Sequence, residues 1–298
     1  MAVAIAVSVV GATAIWTDTL GAGERWESLL KRVDRFLAGP VPDRSSEPTV
    51  VIDEPTPPAT TQPSAAPSAP APSVVVTSPP TSPPMAVPTT ARTPIDIRMT
   101  VNPAASFASQ LTNDWCAPAA IQIVMALHRR GNTSEQTQRQ IAGRVREFES
   151  RADSHNGGWG PASMSEALAA YGVPGYRIHA YGSRDQALRA AAVAILNTDA
   201  PVILLAWRGA HTWVMSGFRA DADPRVFPDT RVSGAYILDP WYPRVSTIWG
   251  RSDPPGVFQD SAEMVRNYLP WKRPEGTYAD RDGRFIVLIP TVRLPRTD

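Results

Sequence analysis

"SQLTNDWCAPAAIQIVMALHRRG", residues 109–131, holds the single cysteine of a 298-residue chain and places it where a polar loop gives way to an apolar helix. Pro118 falls in the first turn of that helix, and Gly131 marks its expected stop. A thiol at a helix N-terminus meets unpaired backbone N–H groups and the positive end of the helix dipole, which favours thiolate. One cysteine cannot close an internal disulfide, so Cys116 is either packed and inert or chemically used. Its position argues for use.

A thiolate nucleophile needs a base, a group that orients the base, and donors for a developing oxyanion. The chain has four histidines. His128 ends the helix that Cys116 begins, some ~18 Å away at 1.5 Å per residue, and reads as a helix-end cation. His179, in "GYRIHAYG", reads as a strand or surface residue, and His155, in the loop "SHNGGWGP", is a weaker candidate. His211 opens the run "HTWVMSGF" just after the tight "RGA" turn, where an imidazole projects from a sheet end, and it is the best base. "AYILDPWYP" ends a strand at Asp239, because Pro240 cannot donate to a ladder, and leaves that carboxylate at the sheet margin. Gln110, six residues before Cys116, supplies an amide donor that would complete an oxyanion hole with the Cys116 backbone N–H.

Helical patterns come first and strands later, which argues α+β. After the Cys116 helix, "SEQTQRQIAGRVREF" reads as a helix. "SMSEALAAYG" opens with a capping-box pattern at Ser163 and Glu166, and "SRDQALRAAAVAILN" repeats it at Ser183 and Gln186. Strands are expected over 201–207, 211–218, 234–239 and 284–290. Together they give one domain over 96–298.

Three segments precede it. "MAVAIAVSVVGATAIWT", 1–17, carries no charged side chain before Asp18 and reads as a signal-anchor or signal peptide, without the flanking Lys/Arg that would set orientation. Residues 18–39 read as an amphipathic juxtamembrane helix, with Trp26, Leu29, Leu30, Val33 and Leu37 on one side. Sixteen of the 31 prolines lie between Pro40 and Pro94, so 40–95 reads as a disordered Pro/Ser/Thr/Ala-rich linker. Such a linker would hold the domain well over ~100 Å from its start. The expected localisation is the cell membrane, single-pass with the domain extracytoplasmic, or secretion.

With 29 Lys+Arg against 28 Asp+Glu, the chain has no electrostatic footprint for nucleic acid. Neither metal-ligand spacing, a phosphate loop nor a dinucleotide fingerprint occurs, so no cofactor is expected. The chain is expected to be a monomer. In "HNGGWGPASM", Gly157, Gly158 and Trp159 are candidates for pairing with an extended substrate backbone by strand addition. A Gly-rich turn before a capped helix is the competing reading.

Gln110, then Cys116 followed by Ala-Pro-Ala, then "HTWVMSGF", then "LDP" together resemble the thirty-ninth cysteine-peptidase family. Its members are papain-like enzymes known for bacteriocin processing after double-glycine leaders, with stand-alone relatives on bacterial surfaces. The resemblance covers about 106–290 and rests on the Gln110–Cys116 spacing with the order Cys, His, Asp. It implies a papain-like fold, with the nucleophile on the N-terminus of a helix packed against a mostly antiparallel sheet. It also implies nucleophile Cys116, base His211, orienting Asp239 and oxyanion donor Gln110. Trp115 and Ala117 stand where the family commonly has Asp and Gly, and "RADADPRVFPDTRVS" is inserted between His211 and Asp239. The expected function is an extracytoplasmic cysteine peptidase with a peptide or protein substrate. Two alternatives stand beside it: a catalytically silent papain-fold surface binding module, and a transglutaminase-like acyl transferase.

Overall fold

The computed structural model describes residues 22–53, 91–99 and 102–295. The expected membrane-inserting segment 1–17 lies outside them, and among the described residues no helix is long and apolar enough to cross a membrane. The chain opens with helix α1 (Ala22–Ala38) and strand β1 (Thr49–Ile52), and resumes with β2 (Ile95–Arg98). Helices α2 (Cys116–Leu127), α3 (Glu135–Gly143), α4 (Val145–Phe148) and α5 (Pro161–Ala170) follow. Next come β3 (Tyr176–Tyr181), α6 (Arg184–Thr198), β4 (Val202–Ala206), β5 (His211–Ala220) and β6 (Val232–Leu238). The short strands β7 (Val245–Ser246) and β8 (Gly250–Arg251) precede β9 (Val257–Asp260), α7 (Ser261–Asn267) and β10 (Phe285–Pro290).

The main sheet runs in the order β1-β3-β10-β4-β5-β6-β9. β1 lies parallel to β3, and the other described pairings are antiparallel. This is the expected α+β class. β5 is long enough to hold two partners on one edge: β4 covers His211–Met215 and β2 covers Gly217–Ala220. Gly217 sits at that changeover, beside a register shift, and a Cβ there would lie 2.1 Å from the Ile97 carbonyl oxygen.

Alternation along the strands divides the core into two layers. Ile203, Leu205, Val214, Ile286 and Leu288 face Ile121, Ile123 and Val124 of α2 and Met164 and Leu168 of α5. Val202, Leu204, Met215, Val287 and Ile289 face Leu188, Ala191 and Ile195 of α6. α2 is buried from Ala117 to Met125, so its residues are small or apolar all round. Its one buried polar side chain, Gln122, donates to the carbonyls of Asn132 and Ser134 and accepts from Gln138. Gln138 in turn donates to Ser109 O and accepts from Leu111 N–H, which pins the loop leading to Cys116 against α3.

Three local expectations need correction. α2 ends at Leu127 with Arg129 in the left-handed region (φ 55°), ahead of Gly131. The capping box at Ser183 and Gln186 is present, but the one expected at Ser163 is not. α5 begins at Pro161, Ser163 lies buried inside it, and the Asp153 carboxylate caps it by accepting from Ala162 N–H, Ser163 N–H and the Ser163 hydroxyl. A carboxylate eight residues upstream satisfies the orphan N–H groups, so no local cap is needed.

The third concerns the linker. Residues 40–53 are not a spacer: Thr49–Ile52 pairs with Ile178–Tyr181, Arg44 donates to the Glu149 carbonyl, and Glu47 accepts from Ser165 and pairs with Arg177. Arg281 donates to Thr49 Oγ1, and Arg284 pairs with Asp53 at 2.6 Å. The far end is tied as well, since Ile95–Arg98 pairs with β5 and Arg92 pairs with Asp229 at 2.9 Å. The residues on both sides of the Pro-rich stretch 54–90, which lies outside the described residues, are therefore tied to the domain. That stretch cannot carry the domain away from α1, because α1 is itself docked. The valines and isoleucine of "TVVI" outweigh the prolines around them by completing an open sheet edge.

Candidate active site

Cys116 is the first residue of α2 and is half-buried. No side chain caps this helix, and Pro118 has no N–H, so the Cys116 and Ala117 N–H groups are first-turn donors without an intrahelical acceptor. His211 begins β5, 2 % exposed, one strand register from Ala206. Its Nε2 lies 2.6 Å from Asp239 Oδ1. The Cys116 thiol is a hydrogen-bond neighbour of the same imidazole. Asp239 follows β6 directly, and its Oδ1 also accepts the Trp241 N–H at 2.9 Å, which fixes the carboxylate in a turn.

The electrostatics follow from this order. Burial alone would depress the His211 imidazole, but the charge and hydrogen bond of Asp239, with a contribution from Cys116, push it up to about 9. Burial would raise the Cys116 thiol, and His211 together with Thr212 overcomes that and holds it below its ordinary value. Both shifts favour the thiolate–imidazolium form of the pair over the neutral one.

Gln110 behaves differently from the sequence expectation. Its backbone N–H donates to Pro240 O at 2.8 Å, tying this loop to the Asp239 turn. Its side-chain Nε2 donates to Thr112 O at 2.7 Å, and its Oε1 is buried without a partner. It does not line the cavity in front of Cys116. In this arrangement the Gln110 amide presents no donor to the space in front of the sulfur.

That cavity, about 430 Å³, is lined by Cys116, His211, Thr212, Trp115, Gly157, Gly158, Trp159 and Arg35, among others. Gly157 and Gly158 thus reach the site, but not as a strand edge. Both have positive φ (72° and 101°), the Gly157 N–H donates to Ser154 O, and the Gly158 N–H donates to Glu149 Oε2. Their N–H groups are spent inside the chain, so these two donors are not offered to an incoming strand. Trp159 stacks on Phe148. His155 bonds to the Tyr278 hydroxyl, and His179 lies in β3 beside Tyr181. His128 caps the far end of α2 and is buried.

Several neighbours escaped the sequence reading. The Trp207 ring stacks on His211, with centroids 4.1 Å apart and planes at 21°, and Trp241 meets His211 edge-on at 6.3 Å. Trp207 and Arg208 both take positive φ (51° and 62°), a backbone state that no residue pattern announces. Gly209 (φ 85°) completes the turn with its α-carbon against the Trp271 ring. Trp207 Nε1 donates to Asn267 Oδ1, so the stacking ring is itself fixed. The Thr212 hydroxyl is buried without a conventional partner and sits where it favours the thiolate. A Trp four residues before a strand-opening His was the available signal for the first of these.

Comparison with known proteins adds the following. No curated protein matches the chain. Among solved structures, a double glycine motif protease from an AMS/PCAT transporter, in complex with the leader peptide, is similar at 19% identity. The match covers 62% of this chain and 91% of that one, with a TM-score of 0.32. The model of the Peptidase_C39 like family matches residues 104–269, a span that contains Gln110, Cys116, His211 and Asp239, and the chain belongs to that family.

Proposed function

We propose that this chain is a cysteine peptidase in which Cys116 is the nucleophile, His211 the general acid and base, and Asp239 the group that orients and charges the imidazole. The observation that carries the reading is the 2.6 Å contact of His211 Nε2 with Asp239 on an imidazole that also has the Cys116 thiol as a hydrogen-bond neighbour. The thiolate attacks a peptide carbonyl carbon, and the electron pair moves to the carbonyl oxygen, which faces the Cys116 N–H and the α2 N-terminus. Collapse of this intermediate breaks the C–N bond as the imidazolium gives its proton to the leaving amine. The neutral imidazole then takes a proton from water as water attacks the thioester, which frees the acid and restores the thiolate. Gln110 is the second oxyanion donor once its uncommitted N–H turns inward. Gly157, Gly158 and Trp159 form one wall of the substrate cleft.

The substrate is a peptide or protein, and the domain works extracytoplasmically beside a membrane in which residues 1–17 are inserted. Support for the location is the uncharged run 1–17 and the exposed stripe of α1, where Leu29, Val33, Phe36 and Leu37 face outward. The test is incubation of the full chain with a fluorogenic peptide ending in Gly-Gly-aminomethylcoumarin and with a peptide electrophile bearing the same residues. Release of coumarin by wild type but not by Cys116→Ala supports a peptidase. Labelling without turnover favours a silent binding module, and transfer to an added amine in place of hydrolysis favours an acyl transferase.

A further inference from the structure

We propose that the corner made by Glu149, Gly157 and Gly158 is a cation-selecting subsite of the cleft that takes a Lys or Arg side chain of the peptide, and that Arg35 of α1 occupies it in the resting chain. The inference rests on the peptidase reading above for its substrate and on separate observations for its chemistry. Glu149 is a fully buried carboxylate. Its Oε1 is held by Arg146, one helical turn earlier. Its Oε2 lies behind the cleft wall, where it accepts the Gly158 N–H at 2.7 Å and takes the Arg35 guanidinium at 2.8 Å, both from residues that line the cavity. Arg44 meanwhile holds the Glu149 backbone carbonyl, which keeps the residue in place without using the carboxylate.

Glycine is what opens this corner. A Cβ on Gly157 would lie 2.2 Å from Arg35 Nη1 and 2.6 Å from Glu149 Oε2, so any other residue would close the passage from the cleft to the carboxylate. Arg35, Gly157 and Gly158 line the same cavity as Cys116 and His211, so a side chain entering here belongs to a peptide lying across the thiol. The occupant is lightly held. Of the α1 residues whose side chains are described, none joins either apolar core, and Leu29, Leu30, Val33, Phe36 and Leu37 are all exposed. The described contacts of α1 with the domain are polar: Arg35 with Glu149, and the carbonyl of Ala38 with Arg146. A buried, pre-oriented carboxylate with a removable guanidinium on it is a site built for exchange of one cation for another.

The test uses the full chain and two fluorogenic peptide libraries, identical except for Arg or norleucine scanned through the positions before the cleaved bond. Arg at one position should lower KM against norleucine, and Arg35→Ala should lower the KM of that Arg peptide about tenfold while moving the norleucine peptide less than about twofold. Glu149→Gln should bring the two peptides to equal KM. Because Glu149 is buried and its variant could fail to fold, a second arm measures anisotropy of labelled Arg and norleucine peptides on Cys116→Ala with and without Arg35→Ala. Equal tightening for both peptides on removing Arg35 would overturn the subsite, since Arg35 would then be a plug without selectivity. Absence of any Arg preference would overturn it too. Selective binding without cleavage by wild type would instead leave the subsite standing and remove the peptidase reading.

Discussion

Replacing Asp239 by asparagine removes one buried negative charge and keeps the oxygen that His211 and the Trp241 N–H share. The rise of His211 from 6.5 to about 9 amounts to roughly 3 kcal/mol favouring imidazolium, and it is achieved against burial, so its partners contribute more than that. An opposite charge at this range is worth about one to three pH units. In Asp239→Asn the upper limb of kcat/KM should therefore fall from about pH 9 by that amount. With a fall of about two, the imidazolium fraction at pH 8 drops from roughly nine-tenths to one-tenth, and activity at that pH drops about tenfold. A weaker imidazolium also stabilises the thiolate less, so the lower limb of iodoacetamide alkylation should move upward and the working window should narrow from both sides. Stability follows the same linkage. A histidine whose folded pKa is raised stabilises fully below its unfolded value of 6.5, and this contribution is lost as pH rises through about 9. The difference in Tm between wild type and Asp239→Asn should then be largest near pH 6 and shrink toward pH 9.5. An upper limb that stays near pH 9 in the variant, with Tm differences flat across pH, would refute the role given to this charge.

Trp207→Leu removes the ring stacked on His211, worth about 0.5–2 kcal/mol to an imidazolium, and should lower the upper pH limb while Cys116 alkylation survives at pH 8. Asp153→Ala strips the cap of α5 and takes from the buried Arg281 guanidinium the nearer of its two carboxylates, at 3.0 Å, leaving Asp280 at 3.9 Å. It should cost about 3–5 kcal/mol, read as a lower urea midpoint at unchanged m. Gly209→Ala would drive a Cβ to 2.4 Å from the Trp271 ring in a left-handed turn, and circular-dichroism melts should show a loss of at least ~1 kcal/mol. Deleting residues 1–53 removes β1 and the ties of Glu47, Thr49 and Asp53. A loss on the order of 2 kcal/mol would lower Tm by roughly 4–8 °C for a domain of this size, whereas deletion of 1–21 should leave Tm unchanged.

What could be read from residues alone was whatever local chemistry enforces. The helix opening at Cys116, the strand opening at His211 and the strand ending at Asp239 each carry their own punctuation, and the structure brings these three together. Ser183 capped its helix because its partner stands three residues away. Asp153 and α5 were missed because that cap crosses a loop, and no short-range pattern records it. β1 was missed because four residues beside prolines give no periodicity, while the energy that orders them sits in β3, far along the chain. Glu149 and Arg35, separated by 114 positions, meet only when α1 docks. The Gly157–Gly158 pair was visible, but its surroundings were not: the same glycines that suggest a strand edge lie against the Arg35–Glu149 pair.

The return of the chain at Arg92 has a consequence for connectivity. A single cut between Asp53 and Ala91 would not release the N-terminal part, because β1 remains paired with β3, Arg281 remains on Thr49, and Arg35 remains on Glu149. The protein would become a two-chain one, showing two bands when denatured and one species when native. Uncut, the two parts meet at the effective concentration that a covalent connection imposes. Once cut, that value is replaced by the actual concentration in the tube. Dilution would then separate β1 from β3, so the cut protein's melting temperature would depend on how much of it is present.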